Sequence, residues 1–136
     1  GILLPYVSAL MQQYEDSQDD SYAQMLLRVL KSVPLTLTDG FFSVEVIGGP
    51  VGVQEHTFIK VSRWNISVTL NSLRLVILDY KLLGHDVMSD FQIHDIKTHP
   101  EISSQLTSVF RKQLQRQLPV KSMEEIAELA AILSIS

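Results

Sequence analysis

The chain has 136 residues, 46% hydrophobic and 19% charged, the balance of a globular rather than a disordered polypeptide. A chain this long buries roughly two-thirds of the surface its unfolded form exposes, enough for the core of a single domain over residues 1–136. The net charge of −4 argues against a whole surface devoted to nucleic acid or anionic membrane, and the absence of cysteine excludes disulfides and thiolate metal sites.

A cysteine-free composition favours a reducing, intracellular compartment. No apolar run approaches the roughly 20 residues that span a bilayer. Gly1-Ile2-Leu3-Leu4-Pro5 lacks the basic flank and cleavage site of a signal peptide. The expectation is a protein that is neither secreted nor membrane-spanning.

Two helices are expected first. Pro5 suits a first helical position, and Val7, Leu10, Met11 and Tyr14 fall on one helical stripe. After the acidic run Glu15 to Asp20, Ser21 and Gln24 have the spacing of a capping box. Tyr22, Met25, Leu26, Val29, Leu30 and Val33 then form an apolar stripe that Pro34 ends, predicting a second helix.

From Leu35 to about Ile96 the period becomes two. Thr38-Asp39-Gly40 signals a turn, and Phe42, Val44 and Val46 alternate with polar residues. Gly48-Gly49-Pro50-Val51-Gly52 predicts a hairpin loop, since no G-K-[ST] follows to make it a phosphate cradle. A strand over Thr57 to Val61 precedes Trp64 to Leu70, where apolar Trp64, Ile66, Val68 and Leu70 share one face. Asn71-Ser72 marks a turn, Leu73 to Leu78 a strand covered on both faces, Leu82-Leu83-Gly84 the way into a loop, and Phe91 to Ile96 a last short strand.

Helical spacing then returns. Thr98 with Glu101, and Pro100 just inside, open a helix whose buried stripe is Ile102, Leu106, Val109, Phe110, Leu114 and Leu118; Pro119 stops it. Ser122 with Glu125 opens another, with Met123, Ile126, Leu129, Ala130 and Leu133 inward. The expected fold class is α+β: an antiparallel sheet of about five to six strands, hairpin-connected, flanked by two N-terminal and two C-terminal helices.

Candidate chemistry is sparse. His85, Asp90, His94 and Asp95 could supply a metal site, but no pair has the spacing that sets two ligands on one helical face. No serine lies in a nucleophile elbow, so no catalytic residue, metal or cofactor is assigned. Asn65-Ile66-Ser67 is a glycosylation sequon inside a strand, read as accidental, and Trp64 is read as core.

Charge offers more. Arg111, Lys112, Arg116 and Lys121, with no acid between Glu101 and Glu124, are candidate contacts to the phosphates of RNA or lipid. The plainer reading is cations complementing the helix dipole. Glu15, Asp16, Asp19 and Asp20 are candidate self-association residues, meeting that basic segment within one molecule or between neighbours.

The segment Leu37-Thr38-Asp39, Phe42 heading a strand, Phe58 to Val61, the run Thr69-Leu70-Asn71-Ser72-Leu73 and the amphipathic helix Ile102 to Leu118 follow one another in order. Over Leu37 to Leu118 the chain resembles the small matrix proteins of non-segmented negative-strand RNA viruses, the bornavirus type in particular. The resemblance implies a sheet-with-helices domain that self-associates beneath a viral envelope, bridges lipid and ribonucleoprotein, and performs no chemistry.

The leading expectation is therefore a non-enzymatic, self-associating assembly protein of a viral matrix kind, its basic C-terminal helix on RNA or an anionic membrane. The alternative is a cytosolic adaptor domain that binds a protein partner through a sheet edge or helix face. A metal-dependent enzyme using His85, Asp90, His94 or Asp95 is third.

Overall fold

The computed structural model describes residues 1–15, 17–69, 72–87, 92–117 and 123–135. Helix α1 (Leu3–Gln12) comes first, followed by strands β1 (Met25–Ser32), β2 (Leu35–Thr38), β3 (Phe42–Gly48), β4 (Thr57–Thr69), β5 (Ser72–His85) and β6 (His94–Asp95). A single 3-10 turn, Ile96–Thr98, leads into helix α2 (Pro100–Gln117), and helix α3 (Met123–Ile135) is the last described element.

The sheet is not flat. Its order is β2-β1-β4-β5-β3-β6, and an added β2–β3 pairing closes the first five of these strands into a barrel with β6 as an extra strand on β3. The expected open sheet flanked by four helices is thereby overturned, and so is the purely hairpin-connected topology. Strand β5 pairs antiparallel with β4 but parallel with β3, from Glu45↔Arg74 to Gly48↔Ile77. Strands β1, β2 and β3 form a meander and β4 returns beside β1, which is Greek-key connectivity. Closure leaves fewer open edges than a flat sheet of the same strands would have.

The second expected N-terminal helix is strand β1. Its residues satisfy two periods at once: Met25, Leu27 and Val29 alternate and are buried, whereas Leu26, on the helical stripe, is 54% exposed. Pairing decides between them, because Met25–Arg28 lie against Val61–Phe58 of β4, far away in sequence. Among the described residues one helix, α1, precedes the barrel. The glycine-rich segment after β3 is likewise not a hairpin loop, since β3 and β4 do not pair. It crosses one end of the barrel, where Val53 packs on the core and its carbonyl accepts from Ser32 Oγ at 2.7 Å.

The two strands expected over Thr57–Val61 and Trp64–Leu70 form one strand, β4, interrupted by bulges about Arg63. Strand β5 continues to His85, well past the expected end at Leu78 and through the expected loop at Leu82-Leu83-Gly84. Its outer face is not covered: Arg74 and Leu78 are exposed. The last expected strand shortens to His94–Asp95, while Phe91, Leu70, Asn71, Leu118, Pro119 and Ser122 lie outside the described residues.

Trp64 lies fully buried at the centre of the core, its indole N–H donating to Ala23 O at 2.7 Å. Leu27, Leu37, Ile59, Val61, Leu73 and Leu75 surround the barrel axis. Helices α1 and α2 pack on each other and on β4. Leu3, Val7 and Met11 from one, and Ile102, Leu106 and Val109 from the other, join the same core. Asp39 of the β2–β3 turn fixes α1, its Oδ2 accepting from Leu3 N at 3.0 Å while Oδ1 accepts from Phe41 and Phe42 N. At the start of α2 the cap is His99 rather than Thr98: His99 Nδ1 accepts from Glu101 N, and Thr98 Oγ1 turns back to Asp95 O.

Candidate functional site

The histidines and aspartates singled out in the sequence are dispersed. His85 meets His56 edge to face, with ring centroids 6.2 Å apart, and His56 Nδ1 lies 3.2 Å from Nη1 of the buried Arg28. His94 is instead on β6, beside Phe42, and Asp95 is used locally, its Oδ1 accepting from Lys97 N. Asp90 lies outside the described residues. Among the described residues no three His, Asp or Glu side chains converge so as to hold a metal.

The basic residues divide. Lys112 lines an open hollow of about 700 Å³ with Gln12, Tyr14, Glu15, Asp19 and Asp20, and with Arg116 it borders a smaller hollow beside Tyr14 and Glu15. Arg111 is exposed and lines neither hollow, and Lys121 lies outside the described residues. The acidic connection thus borders the same hollows as Lys112 and Arg116. Its Asp20 is further engaged, Oδ1 accepting from Asn65 Nδ2 at 3.2 Å, and Asn65 Nδ2 also donates to Gln18 O. Glu15 and Asp19 are exposed, and Asp16 lies outside the described residues.

The most distinctive surface is the far half of the β4–β5 hairpin. Strand β3 accompanies β5 only as far as Ile77. Bulges then leave Leu78 and Ser62 without cross-strand partners, and such irregularities bend a hairpin away from its neighbours. Beyond them β5 runs on to His85 held by β4 alone, and no described strand pairs its other side. Along this overhang Leu78, Tyr80, Leu82 and Leu83 are 38%, 42%, 46% and 41% exposed. Backbone groups on a bare edge are a template for another strand. The sequence did carry a signal here, the alternation Asp79-Tyr80-Lys81-Leu82, hidden by the leucine-glycine end that resembled a loop.

A five-stranded Greek-key barrel with parallel β3–β5 closure has the architecture of the OB fold, whose members commonly hold oligonucleotides or oligosaccharides on strands 2 and 3 and on the β1–β2 and β4–β5 loops. No protein-family model matches the chain, and no curated protein is similar to it. The surface rather than the fold carries the function, because one barrel serves many ligands.

The described outward residues of β2, β3 and β5 offer few of the groups that hold nucleic acid. Thr36, Ser43, Glu45 and Ile47 point outward from β2 and β3, joined by Arg74 and Val76 of β5, and the exposed ring of Phe41 stands just before β3. Their one cation, Arg74, is held by Glu45 at 3.5 Å. Single-strand binding relies on stacking rings along a cationic groove. The β1–β2 connection is only Val33-Pro34, too short to reach over a ligand.

Proposed function

We propose that this chain is a non-enzymatic interaction module of the cell interior, a barrel that holds a partner polypeptide as an added strand along the free edge of β5. The observation that carries it is the overhang Leu78–His85, paired on one side only among the described residues and lined by half-exposed Leu78, Tyr80 and Leu82. Main-chain groups on such an edge supply affinity, and alternate side chains supply specificity. The cysteine-free composition fits a reducing compartment, and no helix among the described residues is long and apolar enough to cross a membrane.

The test is selection of a random peptide library on the immobilised chain, followed by hydrogen exchange of the complexes. Selected peptides are expected to slow amide exchange along Asp79–His85 and to lose binding when Tyr80→Lys and Leu82→Lys are combined. Peptides that bind elsewhere would sink the reading. So would single-stranded oligonucleotides that shift β2–β3 resonances while no peptide engages the edge.

A further inference from the structure

Deepening that edge reading, and resting on it, we infer that the partner is an extended acidic segment in which apolar and carboxylate side chains alternate. The inference comes from the two faces of the overhang. Register sets Tyr80 opposite Val61 and Leu82 opposite Ile59, and both β4 residues are fully buried on the inner face of the barrel. Tyr80 and Leu82 share that face but extend past the reach of β3, which leaves them 42% and 46% exposed. An added strand covers them with its own apolar positions.

The other face is cationic. Lys81 stands directly opposite Lys60, and Lys60 opposite the exposed Leu26 of β1. Like charges directly opposite one another on neighbouring strands repel. Among the described residues neither lysine forms an ion pair, and the one acid beside them on the overhang, Asp79, is held by Arg63 at 3.0 Å. A strand laid beside Lys81 brings a side chain to within roughly 5 Å of it. A carboxylate there turns a repelling pair into an alternating row. Period two then fixes the rest: acid toward Lys81, apolar toward Tyr80 and Leu82. The run Leu78–His85 takes a segment of about seven or eight residues at roughly 3.3 Å each.

The same charges disfavour a second copy. Pairing two β5 edges about a two-fold axis at Lys81 sets the lysines against each other, and about an axis at Tyr80 the Asp79 that would face Lys81 is already held by Arg63. Lysine on an exposed edge is a common device against self-pairing. The edge favours an acidic strand over its own copy.

The experiment uses the full chain and three fluorescent peptides of about eight residues, alternating valine with glutamate, with serine or with lysine. Anisotropy at low salt measures affinity, and amide resonances of Asp79–His85 report the place of binding. The glutamate peptide is expected to bind about tenfold or more tighter than the serine peptide, and the lysine peptide weakest. Lys60→Glu combined with Lys81→Glu should invert that order, and Lys81→Ala, a milder change, should bring the glutamate-to-serine ratio toward one.

If all three peptides shift the Asp79–His85 amides equally, or the lysine peptide binds best, the acidic partner is wrong while the edge reading stands. If no peptide shifts those amides, the edge reading falls and the inference with it. A dimer in light scattering that Tyr80→Lys with Leu82→Lys dissolves would make the occupant a second copy, which also overturns the inference.

Discussion

Between Trp64 and Thr69 strand β4 faces Ser72–Ile77 of β5; between Thr57 and Arg63 it faces Asp79–His85. In the first half Trp64, Ile66, Val68, Leu73, Leu75 and Ile77 are all at most 6% exposed. In the second half Ile59 and Val61 stay buried against β1, but their partners Leu82 and Tyr80 are nearly half exposed. On the inward face both stretches of β5 are apolar, with Leu73, Leu75 and Ile77 in the first and Tyr80 and Leu82 in the second. What separates them is a third strand. Strand β3 lies along the first stretch and ends at Gly48, where Gly48 and Gly49 take left-handed conformations (φ +76° and +77°) and Pro50 lacks an N–H. Added at Gly48, a Cβ would lie 3.0 Å from Ile77 O, so the chain leaves β5 at a place built for glycine. The end of a neighbour, not a change of side-chain type, opens the edge.

Truncation should read this contrast out directly. Trp64→Ala removes the largest fully buried side chain and is expected to cost about 3–5 kcal/mol in urea unfolding. Leu82→Ala, on the same hairpin, should cost about 1 kcal/mol or less, because its side chain is already half in water. Comparable losses at the two positions would mean that the overhang is as firmly packed as the barrel.

The next largest effect separates strand from helix in β1. Leu27 is 1% exposed and Leu26 is 54% exposed, so Leu27→Ala should cost about 2–4 kcal/mol and Leu26→Ala about half a kcal/mol or less. A helix over the same residues would turn Leu26 inward and reverse the ranking.

That segment also shows what the sequence could and could not convey. Helix α2 was legible because Ile102, Leu106, Val109 and Phe110 fit one period and no other, and Pro100 starts it. Met25–Ser32 fits both periods, and the contacts that choose between them come from Phe58–Val61, which no local pattern announces. The parallel β3–β5 ladder is equally non-local, and together with the β2–β3 pairing it closes the sheet into a barrel. The lysines and apolar residues of the edge could be read individually. Which of them faces inward could not, because it depends on the bulges at Ser62 and Leu78 that switch the inward set from even to odd positions on β4 and from odd to even on β5.

A smaller loss is expected where α1 meets α2. Ser8 is 5% exposed, its hydroxyl donating to Glu101 Oε1 at 2.8 Å and accepting from Gln105 Nε2 at 2.9 Å. Ser8→Ala leaves both partners without that bond and should cost about 1–2 kcal/mol, with α1 amides exchanging faster than those of β4. Equal acceleration in barrel and helix would show that α1 belongs to the same cooperative unit as the barrel.

The smallest effect has the opposite sign. If the Lys60–Lys81 pair is a specificity device, it is held at the expense of stability, and reversing one charge should recover some of it. Lys81→Glu converts a like pair directly across β4 and β5 into an opposite pair and should raise stability by about 0.2–1 kcal/mol at low salt. Both residues are exposed, so the gain should shrink as ionic strength rises and the Debye length falls toward the separation of the pair. Lys31→Glu, an exposed position at the far end of β1 without a lysine opposite it, serves as the control and should show no such gain. An equal, salt-insensitive change at Lys31 and Lys81 would mean that only net charge had been altered, and the lysines on the edge would then be ordinary surface.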